Sequence, residues 1–121
     1  SQDTSTIVLQ TETDITQLDG GDFITNEQTI FCGNLADRLI VQATRLHLVL
    51  LRDITQLQKI SFENNPIRFA TCLDRYVAIL TTHGVVHLYS IEQNNATREV
   101  KFTEAFRLDE KKYIAINLYM D

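Results

Sequence analysis

Asp14-Ile15-Thr16-Gln17-Leu18 returns letter for letter as Asp53-Ile54-Thr55-Gln56-Leu57, and the same offset of 39 residues carries Phe23 onto Phe62 and Asn26 onto Asn65. A second register, at an offset of 37, carries Ile30, Asp37, Arg38, Thr44, Val49 and Leu51 onto Ile67, Asp74, Arg75, Thr81, Val86 and Leu88. Repeats of about 40 residues with no helical periodicity are the size of one propeller blade. Ile67 to Asp74 also lies over Ile114 to Asp121 with both end residues matching, a step of 47. The chain is therefore expected to stop as a further blade begins.

Working outward from the repeat, nearly every apolar cluster is short, rich in Val, Ile, Thr, Phe and Tyr, and bounded by turn residues. That pattern predicts strands and almost no helix. Strands are expected at Thr6 to Thr11 and Ile15 to Leu18, followed by a turn at Asp19-Gly20-Gly21-Asp22. One full blade follows as Thr29 to Gly33, Arg38 to Thr44, Leu46 to Arg52 and Thr55 to Phe62. A second is Ile67 to Leu73, Tyr76 to Thr82, Val85 to Ile91 and Arg98 to Phe106, and Tyr113 to Met120 opens a third.

The expected fold is thus all-β, a β-propeller fragment of two full four-stranded blades with partial blades at both ends. Residues 1–27 form a partial blade and linker, 28–65 a blade, 66–106 a blade and 107–121 the start of the next. Runs such as Tyr76-Val77-Ala78-Ile79-Leu80 are apolar at consecutive positions because a neighbouring blade covers each face of a sheet. Pro66 stands before the first strand of the second blade, where its missing N–H spoils no central ladder. The polar stretch Glu92 to Thr97 reads as a rim loop that lengthens the last repeat step.

Complete propellers need about four to eight blades, so the sequence reads as a piece of something larger. It begins with Ser1, no signal peptide is recognisable, and no apolar run approaches the roughly 18 residues that would span a bilayer. The formal net charge of -5, with eleven basic residues scattered singly apart from Lys111-Lys112, provides no cationic stripe for a phosphate backbone. Cys32 and Cys72 sit in apolar strands without metal-ligand spacing and are expected to be reduced core thiols.

His47, His83 and His87 raise a metal site for consideration. His83 precedes Gly84 in a hairpin turn while His87 lies inside a strand, and no third ligand shows zinc-like spacing. The repeated Asp37-Arg38 and Asp74-Arg75 could mark a recognition rim, but a repeated fold repeats its turn chemistry, and Asp suits tight turns. Asn95-Ala96-Thr97 fits the N-glycosylation pattern, without a secretory context to give it meaning. No nucleophile elbow, phosphate-cradling loop or HExxH helix appears. No catalytic, cofactor-binding or metal-binding residue is assigned.

The succession Thr6 to Thr11, Asp14 to Leu18, Phe23, Thr29-Ile30-Phe31-Cys32-Gly33-Asn34 and Ile40-Val41-Gln42 resembles the family of large multi-propeller scaffolds. That family holds the largest subunit of the cleavage and polyadenylation specificity factor, the large subunit of the UV-damaged-DNA-binding complex, and a splicing factor 3b subunit. Asp53 to Leu57, His83 to Leu88 and Leu118 to Asp121 resemble its polyadenylation branch in particular. The chain would cover a small part of a full-length member, in the second propeller region. The chain has no tryptophan, so the WD signature is missing, as it is from this family's divergent blades.

The resemblance implies a nuclear, non-catalytic scaffold in pre-mRNA 3′-end processing. Its partners would be the WD-repeat and zinc-finger subunits that read the polyadenylation signal, with pre-mRNA touched only indirectly. The alternative is an adaptor of a cullin-type ubiquitin ligase in DNA-damage recognition. A propeller enzyme, the third class, would gather charged or metal-binding residues into the channel, and none cluster here. Rigid blades would present loops such as Glu92 to Thr97 to partner chains, and the isolated segment is expected to self-associate or take a covering partner.

Overall fold

A computed structural model describes residues 21–109. The expected strands at 6–11, 15–18 and 113–120, and with them the partial blades, lie outside the described residues. Eight strands fill the remainder: β1 (Thr29–Asn34), β2 (Leu39–Thr44), β3 (His47–Arg52), β4 (Thr55–Ser61), β5 (Ile67–Leu73), β6 (Tyr76–Thr81), β7 (Val85–Gln93) and β8 (Val100–Asp109). They form two antiparallel meanders, β1-β2-β3-β4 and β5-β6-β7-β8. Among the described residues there is no α-helix, and no helix long and apolar enough to cross a membrane.

The strands expected from sequence are present, with differences at their ends that have conformational causes. Arg38 belongs to a short 3-10 turn, Ala36–Arg38, instead of opening β2. Asp37 and Arg38 have φ of 61° and 62°, a left-handed conformation incompatible with a strand. Arg98, expected to open β8, has φ of 66° and closes the preceding loop. Glu92 and Gln93, expected in that loop, continue β7, while β8 runs on through Asp109. The added length on this sheet is therefore partly paired strand, and the loop proper is shorter than expected.

Each sheet carries the same irregularities. The β1–β2 register shifts between Thr29 and Phe31, and the β5–β6 register between Ile67 and Phe69. Each outermost pair has a matching shift, which leaves Leu57 on β4 and Ala105 on β8 as the extra residues. Bulges on outer strands bend an otherwise open edge and discourage pairing with other chains.

The two sheets pack face to face. Leu39, Val41 and Ala43 of β2 and Leu48 and Leu50 of β3 share one core with Val77 and Ile79 of β6, Tyr89 and Ile91 of β7, and Val100 and Phe102 of β8. On the far face of the first sheet, Cys32, Val49 and Leu51 are covered by Phe23 and Ile24. Both faces of β2 and β3 are thus buried, which is why their sequences are apolar without alternation. Each fully buried aliphatic side chain contributes about 1.5–3 kcal/mol.

The 39-residue register is also physical. Phe23 and Phe62, which it superposes, are each 7 % exposed, and each closes the apolar layer against one face of a sheet. Backbone and side-chain bonds then fix the stacking of the sheets. Ala36 N donates to Asp74 O at 2.8 Å, and Phe102 N on the outer edge of β8 donates to Gln58 Oε1 of β4 at 2.7 Å. Ile67 N and Thr82 N donate to Arg45 O and Pro66 O at 2.7 and 2.8 Å, anchoring the crossover where Pro66 precedes β5.

Candidate interaction site

A meander alternates its turns between two rims. The β1–β2, β3–β4, β5–β6 and β7–β8 turns share one rim; the β2–β3 and β6–β7 turns and the 62–66 crossover share the other. On the first rim Asp37, Asp53 and Asp74 all have positive φ, between 56° and 61°. Asp tolerates this region better than most side chains, so turn chemistry accounts for the recurrence of Asp37 and Asp74. Their arginines differ. Arg75 pairs with Asp37 across the seam at 3.1 Å and donates to Ile91 O at 3.2 Å. The pair is exposed and contributes at most about 1 kcal/mol; it aligns the turns more than it stabilises them.

The β7–β8 loop is tied by one residue. Asn94 Oδ1 accepts Ala96 N and Thr97 N at 2.9 and 3.1 Å, Asn94 O accepts Arg98 N at 2.7 Å, and Asn94 N donates to Glu99 O at 2.8 Å. This Asx-type turn gives the exposed loop a definite shape, and Asn95-Ala96-Thr97 lies on it. The β3–β4 hairpin is clasped from outside: Asp22 N donates to Ile54 O at 2.8 Å, and Gln56 N donates to Asp22 Oδ2 at 3.0 Å.

The three histidines serve separate neighbours. His47, buried on β3, sets Nδ1 3.0 Å from Glu27 Oε1 and Nε2 3.4 Å from Glu63 Oε2. Thr44 Oγ1 donates to Glu27 Oε1 at 2.6 Å. That hydroxyl, followed by His47, holds the Glu27 carboxyl below the ordinary carboxylate range. His87 Nδ1 lies 3.2 Å from Glu104 Oε2, and the ring stacks on Tyr89 with centroids 5.8 Å apart and meets Phe62 in a T-shaped contact at 5.6 Å. His83 is exposed in the β6–β7 turn, its backbone N–H donating to Asn65 Oδ1. A shallow groove of about 360 Å³ opens beside the Phe62–His87 contact, with Asn64 and Arg107 on its rim.

Cys32 is buried under Phe23 and Ile24, and Cys72 is half-buried at the seam, its Sγ 3.5 Å from Asn34 O. Burial pushes the two thiols up to about 12 and about 11. Sequence reasoning missed Gln42, which is fully buried. Its Oε1 accepts Ile24 N at 2.9 Å, and its Nε2 donates to Ile24 O and to Thr29 Oγ1, both at 2.8 Å. The available signal was one amide inside the apolar run Ile40-Val41-Gln42-Ala43, a position where a polar group must find partners.

Paired four-stranded meanders stacked face to face, with their connecting hairpins on two rims, define a segment of a β-propeller. The chain belongs to the RSE1/DDB1/CPSF1 second β-propeller family, whose model matches residues 1–120. It is 30 % identical over 123 residues to cleavage and polyadenylation specificity factor subunit 1 of Drosophila melanogaster, covering 100 % of this chain and 8 % of that protein. Probable subunits of the same name match from Caenorhabditis briggsae, at 35 % over 83 % of this chain and 7 % of the relative, and Caenorhabditis elegans, at 34 % over 72 % and 6 %. The chain spans less than a tenth of the length of these relatives.

Proposed function

We propose that the chain is a non-catalytic scaffold segment of a nuclear pre-mRNA 3′-end cleavage and polyadenylation complex. The observation that carries this reading is the match, over the whole chain, to a protein named for that complex. In this reading residues 28–65 are one blade and 66–106 a second, which β8 carries on to Asp109 in place of opening the next, with parts of two further blades on either side. Partners are other subunits of the complex, the WD-repeat and zinc-finger subunits among them, and pre-mRNA is reached through them. The architecture supports presentation over chemistry: the hairpins are tied to a packed core, and loops on rigid scaffolds commonly carry binding.

The test is affinity capture from nuclear extract with the chain as bait. Recovery of polyadenylation factors together with poly(A) polymerase is the expected result. Recovery of cullin components in their place would transfer the assignment to a ubiquitin-ligase adaptor.

A further inference from the structure

Among the described residues His47 is the one side chain that meets two carboxylates from separate segments. Its Nδ1 lies 3.0 Å from Glu27 Oε1 and its Nε2 3.4 Å from Glu63 Oε2, while the ring itself is buried. Glu27 stands just before β1, and Glu63 lies in the crossover that follows β4. The entry to the first sheet and the exit from it are thus held at one imidazole on β3. The turn does not require this arrangement. Thr44 Oγ1 accepts His47 N at 2.9 Å, and in the second sheet Thr81 Oγ1 accepts Val85 N at 3.0 Å. The same hydroxyl closes both turns, yet in the second a side chain with no proton to exchange stands where His47 would be.

An ionised carboxylate is an acceptor alone, so it is drawn to a ring nitrogen that carries a proton. A neutral imidazole has one N–H and the imidazolium two, so His47 suits both carboxylates at once only when charged. On losing a proton, the ring keeps the N–H at Nδ1, where the contact is shorter and Thr44 Oγ1 also holds Glu27 at 2.6 Å. Nε2 then turns a lone pair toward Glu63, and acceptor faces acceptor. The Glu63 side chain is 62 % exposed and has solvent to move into. The other charges nearby are Lys59 on β4, which helps to lower Glu27, and Arg45, which borders a cavity with Glu27; neither pairs with Glu27 or Glu63 among the described residues. Glu27 itself stays ionised where histidines ordinarily titrate, because its carboxyl lies below the usual range.

We infer that His47 is a proton-operated latch on the crossover between the two sheets: the imidazolium holds Glu63 against the first sheet, and the neutral ring keeps Glu27 and releases Glu63. The sign follows from charge. The contact is present while His47 carries its second proton and is lost as pH rises through the titration of that ring. Phe62 N donates to Leu46 O and Ile67 N to Arg45 O, at 2.6 and 2.7 Å, so both ends of the crossover stay anchored. Release therefore loosens the middle of the crossover without parting the sheets. The inference does not depend on which complex the chain serves.

Mass spectrometry of the intact protein provides both readings, since deuterium uptake at C2 of each imidazole reports its titration and uptake at the amides reports local opening. Amide protection at Glu63, Asn64 and Asn65, corrected for the intrinsic effect of pH, is expected to fall about two- to fivefold as His47 loses its proton, the range set by an exposed ion pair. His83 donates its backbone N–H to Asn65 Oδ1 and His87 touches the Phe62 ring, so the fall has to coincide with the titration of His47 and with neither of theirs. In Glu63→Gln the side-chain amide can donate to the neutral Nε2; this exposed substitution should abolish the fall while leaving the fold intact. By reciprocity it should also move the His47 titration to lower pH. Protection that does not change with pH, a fall that follows His83 or His87, or a wild-type fall in Glu63→Gln overturns the inference. His83→Gln should keep the wild-type fall and decides the matter where those two titrations overlap; its loss in that variant overturns the inference as well.

Discussion

Replacing Gly33 by alanine should set the two sheets against each other at a single point. A Cβ on Gly33 would stand 2.6 Å from Cys72 Sγ and 2.9 Å from Phe31 Cζ, whereas non-bonded carbon contacts settle at about 3.5–4.0 Å. The methyl therefore has to move the β5 sulfur, the Phe31 ring or the seam itself by about 1 Å. Overpacking of this kind costs about 1–3 kcal/mol. Cys72→Ala alone removes one partly buried atom and should cost about 1 kcal/mol. Combined, the substitutions relieve the sulfur clash, and the double variant should be more stable than the sum of the singles by at least about 0.5–1 kcal/mol. Phe31 remains in the way, so the rescue is partial.

Urea unfolding of the four proteins, with slopes compared to confirm a common unfolding transition, provides the cycle. Additivity to within about 0.5 kcal/mol would falsify the close approach of β1 and β5. Residues 39 apart in sequence have no shorter route by which to couple. The same result would remove the physical basis for equating the repeat period with one sheet-to-sheet step.

Gln42→Leu should strand the N–H and C=O of Ile24 at a cost of about 1–3 kcal/mol for each unpaired group, and hydrogen exchange should quicken at Ile24; an unchanged exchange rate there would rule out the clamp. Leu80 is 3 % exposed, so Leu80→Asp buries an unpaired carboxylate at about 3–5 kcal/mol, and a wild-type urea midpoint for that variant would contradict its place in the sheet interior. Glu27 has a folded pKa below its unfolded value, so the unfolded state binds more protons through the acid range and stability rises with pH there. Its contribution is complete above the ordinary carboxyl value of 4.5 and is lost as pH falls through the lower folded value; Glu27→Gln should flatten this acid limb, and superimposable limbs would refute the contact with Thr44 and His47. Cys32 and Cys72, with thiols raised to about 12 and about 11, should alkylate slowly at neutral pH in the native chain and rapidly in urea, Cys72 before Cys32; equal native and denatured rates would show that the sulfurs are not buried.

Most of the fold was legible because it is written in local signals. Consecutive apolar letters in β2, β3 and β6 announced sheets covered on both faces, and the turns announced themselves through Asp and Gly. The errors fell where a residue took a conformation that its type does not advertise. Arg38 and Arg98 both have positive φ, a state in which Gly, Asn and Asp are the usual occupants, so sequence reasoning placed both in strands. The end of β7 was missed for a related reason: Glu92 and Gln93 are polar, but in an exposed hairpin polarity does not oppose pairing.

The polar anchors were not legible, and the reason bears on how the rim works. Spacing among histidines suggested at most a metal site, whereas His47 finds Glu27 and Glu63 from segments on either side of the first sheet; no pattern within one strand could reveal a partner brought in by the meander. Gln42 likewise looks like an interruption of a core strand until Ile24 is seen folded over it. Both anchors act on chain that is not itself in a sheet. Gln42 fixes Ile24, two residues from the Asp22 that clasps the β3–β4 hairpin, so the bonds that satisfy a buried amide also set where Ile54 and Leu57 emerge. A hairpin positioned through the core in this way has little conformational freedom left to lose, and order established in advance lowers the entropic cost of any contact a segment makes.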